Sequence, residues 1–429
     1  MKIIEDSIAA FASFIWGYPL LLLLIGGGIY LLILSRFLPF RYFGHAIQVL
    51  RGKYDDPDDP GQISHFQALT TALSATVGMG NISGVAVAIA MGGPGAIFWM
   101  WISAVVGMST KFFTSSLAIM YRGKDSEGEL QGGPMYFITE GLGKKWKPLA
   151  IFFSACAMIG ALPVFNVNQL TQAVNDILLK PNGVEVTNYT NLVIGVFLVI
   201  ITSIVVLGGL KRIGKVTSRL VPSMVLLYFI LVVVILIVHI DVVPKYFLMI
   251  FTDAFSADFI KEESVLGGVV GALIILGIKR GAFSNEAGVG TAPMAHGAAK
   301  TDEPIREGLV AMLGPFIDTI IVCTLTALAI LVTGVWQTSD TNGVSLTATA
   351  FGNAMPGVGK YLLMICVAIF SISSLFSYSY YGTKSLSFLV GSKYKHLYNY
   401  LFIASILIGA TASLDTMINL IDSAFALMA

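Results

Sequence analysis

Charge is what this chain has least of. Only 12% of its 429 residues are Asp, Glu, Lys or Arg, while 56% are hydrophobic and the mean hydropathy is +0.81. Ordinary globular chains carry roughly 25% charged residues, so a soluble multi-domain protein is excluded. A net charge of +1 leaves no surplus for a polyanion, and no nucleic-acid partner is expected. Cysteine is scarce too: Cys156, Cys323 and Cys366 lie scattered in apolar runs with no CxxC pairing, which argues against a disulfide framework or a zinc site. The five histidines fall near span ends and offer proton coupling no strong candidate. No HExxH helix, nucleotide-binding loop or paired-carboxylate motif is present, so neither an intramembrane enzyme nor an ATP-driven pump is expected.

What the chain has instead is long apolar runs. Stretches such as 20–34 and 221–238 are continuously apolar, unlike the alternating segments of about ten residues in a membrane β-barrel. At about 20 residues per crossing, the length accommodates about eleven helical spans, predicted near 8–37, 63–91, 95–121, 147–179, 190–210, 214–242, 264–298, 305–335, 358–390, 397–411 and 413–428. The first run is too long for a signal peptide and lacks a cleavage motif, so it reads as a retained span. Segments 42–51, 244–260 and 344–355 read as surface helices or lids. Of the 26 Lys and Arg, twenty fall in one set of alternate connections and five in the other, with Lys111 inside a span. By the positive-inside bias, this predicts a multi-pass cell-membrane protein with its N-terminus outside and the basic connections in the cytoplasm.

Two spans are unlike the rest. The second carries Ser74-Ala75-Thr76-Val77-Gly78-Met79-Gly80-Asn81-Ile82-Ser83-Gly84, and the seventh carries Gly277-Ile278-Lys279-Arg280-Gly281-Ala282-Phe283-Ser284-Asn285-Glu286-Ala287-Gly288-Val289-Gly290-Thr291. Unwound backbone at membrane depth survives only where protein or a water cavity satisfies it, so these segments predict broken helices framing a polar site. The alternative is that their small residues only let helices pack closely. Standing five spans apart, the two enter the membrane in opposite senses, as in an inverted five-plus-five repeat. The predicted division is 1–62 for an extra N-terminal helix and linker, 63–242 for the first repeat, 243–263 for an extracellular connection and 264–429 for the second repeat.

A helix break exposes amides that favour a carboxylate and carbonyls that favour a cation. The amides at Gly78, Met79 and Gly80, with Thr76 beside them, are therefore carboxylate candidates, and the carbonyls of Ile274, Gly277 and Ile278 are ammonium candidates. Ser371, Ser373 and Ser374 offer hydroxyls to a sodium shell. In the fourth span, Phe165 could close over a polar substrate while Asn168 and Gln169 contact it. Interhelical hydrogen bonding is the competing role for those amides.

The run Gly92-Gly93-Pro94-Gly95-Ala96-Ile97-Phe98-Trp99-Met100-Trp101-Ile102-Ser103-Ala104-Val105-Val106-Gly107 resembles, position for position, the signature of the alanine or glycine:cation symporter family, also called sodium:alanine symporters. Arg280-Gly281-Ala282-Phe283-Ser284-Asn285-Glu286-Ala287-Gly288 and the segment from Asp318-Thr319 to Val322-Cys323-Thr324 also look like that family. The resemblance implies an all-α, leucine-transporter-type five-plus-five inverted repeat with one extra N-terminal helix, importing alanine or glycine with Na+ and needing no organic cofactor. It further implies that the carbonyls of Ser74, Val77 and Phe370 join the hydroxyls of Ser373 and Ser374 around one Na+. Asn81 matches a second sodium position whose other ligands the sequence does not reveal.

Intramembrane charges mark function by default. Lys111, Arg280, Glu286 and Asp318 are candidates for an inner gate, pairing Arg280 with Glu286 or Lys111 with Asp318, or else for ion pairs that fix helix register. Thr76-Val77-Gly78-Met79-Gly80 also looks like a potassium-channel filter, but it is centred in a long span of a many-span chain. The expected activity is sodium-coupled symport of a small neutral amino acid by a monomer or weak oligomer. Proton coupling, or another small amino acid or amine, is the alternative.

Overall fold

A chain this apolar can satisfy its backbone in a bilayer only as helix or closed barrel, and the computed structural model is helical. It describes residues 10–11, 14–256, 268–339, 341–411 and 415–429. In chain order the main helices are α1 (Tyr18–Leu34), α2 (Phe43–Leu50), α3 (His65–Thr76), α4 (Gly80–Gly92), α5 (Gly95–Met120), α6 (Pro134–Gly141), α7 (Lys147–Gly160), α8 (Val164–Val174), α9 (Asn188–Val206), α10 (Gly209–Val238) and α11 (Val243–Thr252). There follow α12 (Gly268–Asn285), α13 (Thr291–His296), α14 (Pro304–Val332), α15 (Val344–Ala354), α16 (Gly359–Val390), α17 (Lys395–Thr411) and α18 (Asp415–Met428). Between α5 and α6 a short antiparallel hairpin pairs β1 (Gly123–Lys124) with β2 (Leu130–Gln131).

Among the described residues, six helical stretches, with α7 and α8 counted as one, are long and apolar enough to cross a membrane, and α3 with α4 forms a seventh span bent by 54°. The predicted lids at 42–51 and 344–355 are α2 and α15. Within the predicted extracellular connection, α11 ends at Thr252, and residues 257–263 lie outside the described residues, as do 8–9, 12–13, 264–267 and 413–414 of three predicted spans.

Local chemistry sets the helix ends. Ser64 accepts from the Gln67 amide while the Gln67 side chain accepts from the Ser64 amide, a reciprocal cap that starts α3. At the turn into α5, Gly93 sits at φ +68, and a side chain at Gly95 would collide with the Asp253 backbone.

The helices associate in two groups. In one, α5 packs along α12 and the start of α14, with α3/α4 and α13 beside it; in the other, α7 and α8 pack on α16 and α9 on α17. Helix α10 bridges the groups through α3 and α16. Between them lie the ends of α3 and α12 and the middle of α16, and that seam holds the buried polar residues.

Candidate functional site

Helix α3 ends because Val77 leaves helical geometry, at φ −73 and ψ 90. The chain restarts as a widened π-helical turn over Gly80–Gly84, the kind of irregularity that recurs at functional sites. Asn81 closes this break from within: its Oδ1 accepts from the Gly78 amide at 2.8 Å, and its own amide donates to the Gly78 carbonyl at 3.2 Å. The Gly78 amide proposed for a carboxylate is thus already capped. Glycine at 78 lets α16 come close: a Cβ there would lie 2.8 Å from Ser374 Oγ, which would have to turn away. Thr76 and Met79 flank the break and are buried.

The second break lies at the far end of the segment the sequence marks, beyond the carbonyls it offers for an ammonium. Helix α12 runs without interruption through Ile274, Gly277 and Ile278 to Asn285, so these residues' carbonyls stand opposite helical donors rather than a ligand. Gly277 and Gly281 serve packing: a Cβ at 277 would lie 2.6 Å from the Ala96 carbonyl, and one at 281 would lie 2.9 Å from the Ser103 side chain, both on α5. The small residues that suggested a break are a close helix contact. The chain turns at 286–290 instead, where Glu286, Gly288 and Gly290 take φ values of +52, +95 and +93. For a residue with a side chain this left-handed geometry is strained. The Glu286 carboxylate is held by Tyr378 Oη at 2.6 Å and by Thr291 Oγ1 at 2.5 Å.

A buried cluster joins the two breaks. Asn81 Nδ2 donates to Asp318 Oδ1 at 2.8 Å, to the Asp318 carbonyl at 3.0 Å and to Ser284 Oγ at 3.1 Å. Ser284 Oγ donates to Asp318 Oδ2 at 2.7 Å, and Thr319 Oγ1 donates to the same oxygen at 2.8 Å. Asp318 and Thr319 sit in another π-helical turn, Phe316–Cys323. The sequence offers Asp318 for a gate, but the structure puts it at the meeting point of both broken helices and α14.

Neither predicted gate pair forms a direct ion pair. Glu286 faces Tyr378 and Thr291, while Arg280 faces Asp422 of α18. Lys111 is buried with its ammonium against Gly314, one turn before Asp318, and both Asp318 and Glu286 lie within reach of its charge. The physical reason is rotational: sequence position gives depth along a helix but not the face a charge occupies.

Next to the first break, Ser373 Oγ and Ser374 Oγ of α16 each donate to the Phe370 carbonyl, at 2.8 and 3.1 Å. Ser74 Oγ donates to the Ser373 carbonyl at 3.2 Å and also meets Ser377 Oγ. Ser74, Val77, Phe370, Ser373 and Ser374 are all fully buried. The structure therefore gathers the resemblance's five residues where α3 ends against α16. Among the described residues there is no group of three or more His, Cys, Asp and Glu side chains arranged for a metal. Neutral hydroxyl and carbonyl oxygens suit a monovalent hard cation better than Ca²⁺.

Phe165 stacks edge-on against Phe283 of α12 at 5.8 Å, and Phe283 against Trp16 at 6.2 Å, bringing an aromatic group to the second break. Asn168 and Gln169 are half-buried, and Gln169 bonds Gln172 of its own helix at 3.5 Å. Sequence reasoning missed Ser284, Ser377 and Tyr378 as members of the site. Tyr378 was findable, standing one helical turn beyond Ser374 on the face that meets the breaks.

The Sodium:alanine symporter family matches residues 1–429. A sodium/alanine symporter, AgcS of Methanococcus maripaludis, is 43% identical over 96% of this chain and 89% of its own length. A probable sodium/glutamine symporter, GlnT of Bacillus subtilis, is 33% identical over 100% of this chain and 86% of its own. Among solved structures, MhsT in complex with L-phenylalanine superposes with a TM-score of 0.57 at 12% identity, covering 86% of this chain and 87% of that one, a likeness of leucine-transporter-type fold. With the family matched from end to end and a relative at 43% identity, this chain belongs to the sodium:alanine symporter family, a family of secondary transporters and not of enzymes.

Proposed function

We propose that this symporter carries alanine or glycine inward with Na+ by alternating access. The observation that carries the proposal is the juncture of the two breaks through Asn81, Ser284 and Asp318, directly beside the oxygen shell on α3 and α16. Na+ sits among the carbonyls of Ser74, Val77 and Phe370 and the hydroxyls of Ser373 and Ser374. Asn81 is spent on Gly78 and Asp318, which favours a single ion. The substrate carboxylate meets the start of α4 at Met79 and Gly80, near Thr76. Its ammonium meets the last carbonyls of α12 in place of those at Ile274, Gly277 and Ile278, because the dipole argument follows the helix end to where it lies. Phe165 and Phe283 close over the pocket, with Asn168 and Gln169 on the same helix as Phe165.

The basic connections face the cytoplasm and the N-terminus lies outside; 63–242 and 264–429 are the inverted repeats; the chain works as a monomer or weak oligomer. Uptake of radiolabelled alanine into proteoliposomes, with and without an inward Na+ gradient, tests the reading. Strong stimulation by the gradient is expected, and sodium-independent uptake overturns the coupling. Because one relative is named as a glutamine symporter, competition by glycine, D-alanine, serine, leucine and glutamine decides the substrate. Glycine should compete best, and glutamine poorly.

A further inference from the structure

The end of the bundle that carries the basic connections holds a second buried polar node, separate from the substrate site. His65 is the first residue of α3, His296 the last of α13, and Glu307 lies in the first turn of α14. All three are at most 2% exposed. Glu307 Oε2 meets His65 Nδ1, and Oε1 meets His296 Nδ1.

A carboxylate only accepts, so both imidazoles direct Nδ1–H at it and each keeps Nε2 for another partner. His296 Nε2 is buried with no hydrogen-bond partner, and His65 Nε2 lies 3.9 Å from Asp55, a half-exposed carboxylate ahead of α3. With both imidazoles neutral, Glu307 is a buried carboxylate with no cation bonded to it, which is unfavourable. One further proton, on either Nε2, turns the node into an imidazolium–carboxylate pair.

The cations nearby spend their hydrogen bonds elsewhere and none is bonded to the node. Asp55, Asp59 and Arg306 face His65, and Arg122 faces Glu307. Arg122 spends its donors on backbone carbonyls: Nε on Gly297 at 3.0 Å, Nη1 on Thr301 at 2.8 Å and Pro60 at 3.1 Å, and Nη2 on Ala299. Arg306 Nη1 is bonded to the Tyr54 carbonyl at 3.3 Å.

On the alternating-access reading proposed above, the node lies on a seam that parts when the substrate site opens at this end. Ile63 bridges to Ala299, the Gln62 amide donates to the Ala298 carbonyl at 2.8 Å, and the Lys300 amide donates to the Ile63 carbonyl at 2.7 Å. Lys384 Nζ holds the Met294 carbonyl at 2.9 Å. The contacts of Gln62 and Ile63 tie the start of α3 to the end of α13, the two half-helices on the basic side of the breaks, and Lys384 ties α13 to α16. Parting them separates the two histidines from each other and frees Glu307 to meet water.

We propose that His65, Glu307 and His296 form a proton-binding site that fastens this closure, holding a proton while the seam is shut and releasing it when the seam opens. The site's facing the cytoplasm rests on the orientation proposed above. Acid at that face therefore holds the transporter shut toward the cytoplasm, and inward release speeds up as the cytoplasmic pH rises.

The test uses right-side-out membrane vesicles with the interior clamped at about pH 6 or about pH 8, the range in which histidine titrates, under a constant outer pH and Na+ gradient. Initial alanine uptake by the wild type is expected to be at least about threefold slower at the acid interior, with His65→Gln and His296→Gln flattening the difference. Asp55→Asn, an exposed change that spares the core, should move the midpoint to lower pH by removing the partner of protonated His65. Wild-type Na+-driven uptake that ignores interior pH, and also ignores outer pH when that is varied with the interior held constant, overturns the proposal. A response to outer pH alone upholds the proton site and reverses the orientation. Hydrogen–deuterium exchange of purified protein over 60–65 and 294–301, corrected for intrinsic rates, stands independently of transport. Greater protection at low pH in the wild type, absent in His296→Gln, is expected even if alanine is the wrong substrate, and equal protection at both pH values refutes the site.

Discussion

The two helix breaks do the same job by different means. The first is closed locally: Asn81 caps Gly78, and the absence of a side chain at 78 lets α16 approach to within contact of the ion shell. The second has a local cap too, the Ala287 amide donating to Asn285 Oδ1 at 3.0 Å, but its strained Glu286 is also tethered from outside by Tyr378 of α16, beside Thr291 of α13. A self-capped break keeps its shape wherever its neighbours move. A tethered one keeps its shape only while its partner helix is in place, so the second break is built to respond to α16, the helix that carries Ser373 and Ser374.

The largest effect should come from removing what the two breaks share. Asp318→Ala strands the buried donors of Asn81, Ser284 and Thr319, each costing about 1–3 kcal/mol when unsatisfied, so alanine uptake should fall about 100-fold or more. Asp318→Asn should retain more uptake, because its amide oxygen can still accept. If Asp318→Ala protein, shown by gel filtration to be folded, kept most of its uptake, the breaks would not be working through a common centre.

Next in size is an attack on the first break alone. Gly78→Ala drives a methyl against Ser374 Oγ and spreads the oxygen shell, so the Na+ concentration for half-maximal uptake should rise about tenfold, equivalent to about 1.4 kcal/mol. The maximal rate at saturating Na+ should change much less. An unchanged Na+ dependence would separate the first break from the ion.

How much of this could be read in the sequence differs between the breaks in the same way. Gly78, Gly80 and Asn81 lie within four residues, and local capping chemistry is a local signal, so the first break was predictable in place. The second was predicted as a span of glycines from 277 to 290, and nothing in the residue types separates Gly277 and Gly281, which press on α5, from Gly288 and Gly290, which take positive φ. The apolar lengths that set the spans were equally plain. Azimuth was not: Asp318 reads as a gate residue by depth, but only the folded bundle shows it turned toward Asn81 and Ser284. The histidines failed for a related reason, since His65 and His296 stand 231 positions apart and only the fold brings both to Glu307.

A smaller change should follow from loosening the tether of the second break. Tyr378→Phe removes one of the two hydroxyls that hold Glu286, a bond to a charged group worth about 1.5–3 kcal/mol, but Thr291 remains, so uptake should drop only about threefold. The informative measurement is the ion dependence of alanine binding. If the tether transmits α16 to the second break, Na+ should enhance alanine binding less in Tyr378→Phe than in the wild type, with Na+ affinity itself preserved. Equal enhancement would mean that Glu286 is merely braced.

The smallest expected effect tests where the second break begins. Ile278 is buried in unbroken helix among packing contacts, so Ile278→Val should behave as a core truncation and lower stability by about 0.5–1.5 kcal/mol. The concentration of alanine for half-maximal uptake, and the rank order of competing amino acids, should stay where they are. A change in that rank order, with thermal stability unaltered, would move the ammonium site back toward 274–278 and shorten the helix that separates Gly277 from the break. Ile278 is a sharper probe than Gly277, because any side chain at 277 strikes the Ala96 carbonyl and would damage packing and pocket together. Removing one methyl group adds no clash, so an altered preference could only come from a pocket wall.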